Sequence, residues 1–187
     1  PGSMGKPTPL YDVHIIDENG NELKANETGE IVVYPPKDKK QYGIFMSYYG
    51  DKKLYEKVWK DGVYHTGDTA YKDEDGYFWY VGRTDDLIKT RGFRVGPFEI
   101  ENVIMQYPHV IECAVIGVPD DDRGQAIKAF VKLDDKISID SHTENEIKKF
   151  CNEHMASYKW IQHLEIVDEF PKTISGKIMR TTLRENS

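Results

Sequence analysis

The sequence predicts an α+β protein in two parts: a small β-barrel-like subdomain, then a compact α+β domain. Two observations carry that reading. Over the first 80 or so residues, short alternating segments recur between Gly, Pro and Asp-rich turns with one short helical stretch, the pattern of a small all-β unit. After Gly82 the order becomes strand, helix, strand, strand, helix, strand, which makes a module of about 100 residues, a normal domain size.

Residues 11–16 alternate, then reach a turn whose Asn19-Gly20 favours positive φ. Residues 29–34 form a second strand, stopped by Pro35-Pro36, which cannot continue a ladder. Leu54, Tyr55 and Val58 predict a short helix over 51–59. Residues 62–66 and 77–81 read as two more strands, the second after a turn at 73–76. Residues 86–95 hold two short extended stretches around Arg91-Gly92. At Gly96-Pro97 a helix starts, with proline at the first helical position and Glu99 near the positive end of the dipole. It should stop near Tyr107-Pro108. Strands at 109–118 and 125–133 flank a polar loop at 119–124. Thr143 and Glu146 read as a capping box, opening a helix that buries Ile147, Phe150, Cys151 and Met155. A last strand at 160–167 leads to a turn-rich loop at 171–177 and a short basic tail.

Composition removes several classes. The 187 residues carry 25 basic and 32 acidic side chains, a net charge of −7, which argues against a general nucleic-acid binder. The longest continuous apolar run, 113–118, is far short of a membrane span, and no secretory leader is read at the start. The chain reads as soluble and cytoplasmic. Cys113 and Cys151 lack Cys-x-x-Cys spacing, and the six histidines are scattered, so neither a redox pair nor a structural metal is expected.

Three segments hold more chemistry than folding needs. In Thr66-Gly67-Asp68 the acid after a glycine can accept two hydrogen bonds from a sugar diol; the plainer alternative is a turn cap. In residues 82–95, Arg83 and Arg94 flank paired acids and a glycine turn. Guanidinium forks suit phosphate, although a salt-bridged hairpin, each Arg answered by Asp85 or Asp86, is the plainer alternative. In residues 171–180, Ser175-Gly176 presents Lys177 on a small turn flanked by Lys172 and Arg180. A compact cation there can meet charge developing on a carboxylate or phosphate, or it can be an idle basic tail.

Singly these are weak. In this order, with residues 76–86 and 92–101 between them, they resemble the adenylate-forming superfamily, and within it the AMP-forming acyl-CoA synthetases of the medium-chain and acetyl-CoA groups. The resemblance covers essentially the whole chain, including the opening residues 1–7. It implies that 1–82 are the barrel-like end of a large N-terminal adenylation domain, 83–88 a hinge and 89–187 a mobile C-terminal lid. The family's phosphate loop, acyl pocket and adenine-binding segment have no counterpart here, so a fragment, inactive by itself, is expected.

The resemblance also implies roles. ATP activates a carboxylic acid to an acyl-adenylate, releasing pyrophosphate, and coenzyme A then displaces AMP. Asp68 would bind the ribose hydroxyls, Arg83 the ribose or phosphate, and Arg94 the phosphate in a second, thioester-forming pose. Asp85 would be the hinge and Lys177 the catalytic lysine. Arg91, Gly92 and Phe93 would line the pantetheine tunnel, and Arg123 and Trp160 would meet the CoA nucleotide. Mg2+ is expected with ATP, with no ligands in this chain; the expected partners are the small-molecule substrates and the missing N-terminal domain. Two rivals stand beside this reading: an aryl or amino acid adenylating enzyme that loads a carrier protein, and a stand-alone binding module without catalysis.

Overall fold

The structure, a computed structural model, describes residues 2–36, 43–44, 47–134, 140 and 142–187; Pro1 of the opening segment lies outside them. The chain divides into two units, Pro1–Asp85 and Asp86–Ser187.

Alternating segments need one covered face, and the first unit supplies it with a five-stranded antiparallel sheet. Strand β1 (Asp12–Ile16) pairs with β2 (Gly29–Tyr34), and β2 with β4 (Val63–Lys72). The other edge of β4 takes β3 (Trp59–Lys60) near its start and β5 (Phe78–Arg83) towards its end. Helix α1 (Lys52–Val58) precedes β3, its N-cap Asp51 accepting the Leu54 N–H at 2.9 Å. Ile15, Ile31, Ala70 and Phe78 make the buried cluster. Two expectations change. β3 is additional, and β4 runs for ten residues because Gly67 is absorbed into the strand at an irregularity instead of ending it.

The second unit repeats the device of one long central strand. Strand β9 (Gly124–Leu133) pairs along one edge with β8 (Val110–Asp120). Along the other it meets β6 (Ile88–Thr90) at Gly124 and β10 (His163–Ile166), in parallel, further on. β6 and β7 (Phe93–Val95) form a hairpin. Both faces of β8 and β9 are covered, which is why 113–118 is a continuous apolar run. Cys113, Val115, Ile127 and Val131 pack with Ile100 and Ile104 of α2 (Pro97–Ile104) and with Ile147 and Cys151 of α3 (Thr143–Glu153). Ala114, Ile116 and Phe130 face Phe170 and, from α4 (Arg180–Glu185), Leu183. Each fully buried isoleucine contributes about 1.5–3 kcal/mol.

Local chemistry moves several boundaries. α2 ends at Ile104, three residues before the expected stop. The polar loop at 119–124 shrinks to three residues, because the Asp120 carboxylate accepts the N–H groups of Asp122 and Arg123 and tightens the hairpin. Thr143 is the first residue of α3 and not its cap: its hydroxyl accepts from the Asp140 N–H, while the Asp140 carboxylate accepts from the N–H groups of His142 and Thr143. Phe150 and Met155 are only partly buried. The last strand is confined to β10, preceded by a turn of 3-10 helix at Ser157–Lys159, which leaves Trp160 outside it. The basic tail is helix α4, anchored by Leu183. Among the described residues no helix is long and apolar enough to cross a membrane.

Candidate functional site

In the first unit the pairing of β4 shifts against β2 between Glu30 and Val32, and against β5 between Thr69 and Ala70. Residues 66–68 lie between these irregularities and are pinned from several sides. The Thr66 hydroxyl donates to the Ile31 carbonyl (2.8 Å) and accepts from the Asp68 N–H (3.1 Å). Glu30 accepts the Gly67 N–H through Oε1 (3.2 Å) and pairs with His65 Nδ1 through Oε2 (3.0 Å). The φ of +72° at Gly67 favours glycine, and a Cβ there would stand 3.0 Å from Arg83 Nη2. The guanidinium therefore lies over the glycine.

Asp68 and Arg83 are cross-strand partners, with Oδ1 and Nη1 3.5 Å apart, at the outer limit for a hydrogen bond. Arg83 Nε donates to Asp85 at 3.3 Å. Burial raises the pKa of Asp68, an effect that Arg83 partly offsets. Burial works against the charge on Arg83, but Asp85 and Asp68 outweigh it and its pKa is raised. The turn-cap alternative fails for Asp68, since Thr66 and Glu30 do the local bonding and leave its carboxylate loosely held. Arg83, Thr84 and Asp85 line a cleft of about 500 Å³ with Tyr48, Lys57 and Tyr64; Asp68 meets that lining through Arg83.

In the second unit, Arg91 (φ +50°) and Gly92 (φ +83°) are the two central residues of the β6–β7 hairpin, the mirror-image turn that demands positive φ at both positions. The Arg91 N–H donates to the Arg123 carbonyl at 2.9 Å, one residue before the Thr90–Gly124 pairing. Phe93 is half exposed and stacks on Tyr158, ring centroids 4.4 Å apart. Arg91, Gly92, Phe93 and Arg123 thus share one end of the sheet. Trp160 follows Tyr158 by two residues, exposed, its indole N–H donating to the Met155 carbonyl at 3.3 Å. Arg94 is exposed on β7, opposite Lys89.

The loop carrying Lys177 folds on itself. Thr173 N–H donates to the Lys177 carbonyl (2.8 Å), the Thr173 hydroxyl accepts the Lys177 N–H (3.1 Å), and Gly176 takes φ +82°. The flanking cations are committed: Lys172 pairs with Glu112 at 2.8 Å, and Arg180 with Glu101 at 2.7 Å. Lys177 is exposed and makes no ion pair among the described residues. The salt-bridged alternative for 82–95 holds only in part. Asp85 does answer Arg83, but Asp86 serves Arg184 (2.6 Å) and Arg180 (3.7 Å).

Burial pushes the Cys113 thiol up to about 12 and the Cys151 thiol up to about 11, as befits core side chains. Among the described residues no group of three or more His, Cys, Asp or Glu is placed to hold a metal ion. Sequence reasoning missed Glu30, His65, Tyr158 and Glu101. Glu101 carried a readable signal, a carboxylate on the buried stripe Pro97, Ile100, Glu101, Ile104 of α2. Glu30 carried none, because its role depends on β2 meeting β4.

Residues 99–177 match the AMP-binding enzyme C-terminal domain. The chain is 46% identical over 186 residues to 4-hydroxybutyrate--CoA ligase 1 of Metallosphaera sedula, covering 99% of this chain and 32% of that protein. It is 42% identical over 189 residues to the mitochondrial acyl-coenzyme A synthetase ACSM3 of Homo sapiens, with the same coverage of 99% and 32%. Among solved structures it resembles ATP-bound MatB from Rhodopseudomonas palustris (TM-score 0.82, 34% identity, 100% of this chain and 36% of that one). It also resembles the anthranilate CoA ligase AuaEII in complex with anthranoyl-AMP (TM-score 0.84, 36% identity, 100% and 35%). The chain spans about a third of the curated relatives it matches.

Proposed function

We propose that this chain is the C-terminal part of an AMP-binding acyl-CoA synthetase, residues 99–177 matching the C-terminal domain of AMP-binding enzymes and the whole chain resembling CoA ligases, and that the longer protein joins a carboxylic acid to coenzyme A with ATP. The observation that supports it most is Lys177, without an ion pair among the described residues, on an exposed turn between two committed cations. A carboxylate oxygen attacks the α-phosphorus of ATP, the bond to the β-phosphate breaks, and pyrophosphate leaves with its electron pair. The CoA thiolate then attacks the acyl carbonyl and AMP departs.

The first step brings two anions together. A cation that arrives as charge shifts lowers the barrier more than it aids ground-state binding, and that is the role of Lys177. Asp68 accepts the ribose hydroxyls, and Arg83 reaches the ribose or phosphate. Residues 1–82 are the end of the large domain, 83–88 the hinge with Asp85 absorbing the rotation, and 89–187 the lid. After rotation Arg94 meets phosphate, residues 91–93 line the pantetheine path, and Arg123 and Trp160 meet the CoA nucleotide. Hinges concentrate such motion in a few residues.

ATP–pyrophosphate exchange on the full-length protein, with carboxylates from acetate to long-chain acids, tests this. Lys177→Ala should lower exchange by about 10²–10³-fold while preformed acyl-adenylate still yields thioester at nearly the unsubstituted rate. Absence of exchange with every acid would remove the enzymatic reading.

A further inference from the structure

The most deeply set charges of the second unit lie next to the Lys177 loop. Glu101, buried on α2, accepts the Val115 N–H through Oε1 (2.8 Å) and Arg180 Nη2 through both oxygens (2.7 and 2.9 Å). Nη1 of the same guanidinium points to Asp86 at 3.7 Å, and Asp86 also accepts from Arg184 Nη2 at 2.6 Å. The plane lies over the Phe98 ring, 5.0 Å from its centroid. Arg180 thus joins the start of the unit (Asp86), helix α2 and, through Glu101 and Val115, strand β8. Burying charges costs several kcal/mol unless they are paired and hydrogen-bonded; here each carboxylate accepts a hydrogen bond from a guanidinium, while Arg180 Nε is buried without a hydrogen-bond partner among the described residues.

Arg180 begins α4, three residues after Lys177. Residues 172–177 are all exposed, and the loop is tied at its stem by the Met179 N–H on the Pro171 carbonyl (2.8 Å), by Lys172 on Glu112 and by Arg180. A lysine that must meet its target within a fraction of an ångström cannot rely on so open a loop alone.

We propose that Arg180 is a positioning residue for Lys177, fixing the loop stem to Glu101 and Asp86 so that Lys177 moves as one body with the residue that follows Asp85. This rests on the role of Lys177 given above. A lysine at 180 keeps the charge but loses the planar fork that addresses two carboxylates at once.

The test uses the full-length protein with Arg180→Lys, and with the double variant Arg180→Gln/Glu101→Gln, which leaves no unpaired buried charge if the single change fails to fold. Carboxylate-dependent exchange should fall by about 10- to 100-fold, with KM for ATP within about twofold and thioester formation from preformed acyl-adenylate within about threefold. Hydrogen exchange at the Thr173, Gly176, Lys177 and Met179 amides should quicken while β8 and β9 stay protected. Equal loss in both half-reactions, or unchanged exchange at those amides, would overturn the proposal. If the unsubstituted protein exchanges with no acid, the ligase reading fails by itself, and the amide rates still report whether Arg180 holds the loop.

Discussion

Asp68 with Arg83 and Glu101 with Arg180 are the same chemical pair in two settings. The first sits on a strand pair of one unit at 3.5 Å, the Asp68 side chain 37% exposed. The second is at 2.7 Å, with Glu101 only 10% exposed and a backbone N–H also on its carboxylate. A loose, half-solvated pair contributes little to folding and can exchange its partner for a ligand at small cost. A desolvated, multiply bonded pair is committed, because breaking it strands a charge in the interior. Distance and burial together separate a group available for binding from one that holds the binding apparatus in place.

The sharpest way to break this contrast is to remove the buried acid. Glu101→Ala should destabilise the second unit by about 3–5 kcal/mol, since it strands Arg180 and leaves the Val115 N–H without its acceptor; urea denaturation reads it. Asp68→Asn should change stability by less than about 1 kcal/mol yet weaken ATP binding about tenfold, the scale of one hydrogen bond to a charged group. Comparable stability losses at the two sites would end the distinction.

Acid titration sharpens it further. In the role proposed for it, Asp68 accepts two hydroxyls as the ionised carboxylate, and its pKa is already raised by burial, with Arg83 opposing. Arg83→Gln should therefore move the acidic limit of ATP binding to higher pH, measured by calorimetry across a pH series.

The smallest effect belongs to an intermediate case. His14 pairs with Asp12 (2.7 Å) and Glu22 (2.9 Å); burial opposes its charge, but the two carboxylates outweigh it and raise its pKa above 6.5. Its stabilisation is present in full below about pH 6.5 and is lost as pH rises through the raised value. His14→Gln should lower Tm near pH 5.5, by an amount worth less than about 1 kcal/mol, and should match the unsubstituted protein near pH 9.

By itself the sequence determined the two-part plan, the β6–β7 turn at Arg91-Gly92, the start of α2 at Gly96-Pro97 and the doubly covered strand behind the apolar run at 113–118. Each depends on neighbours a few residues apart: a φ preference, a missing N–H, a periodicity. Only the tertiary structure decided that Gly67 is held inside a long strand by Glu30, that the basic tail is a helix, and that Arg180 is committed while Lys177 makes no ion pair among the described residues. Glu30 and Gly67 are 37 positions apart and Arg180 and Glu101 are 79 apart. Pairings of that reach form when sheets register and helices dock, and local sequence carries no energy term for them.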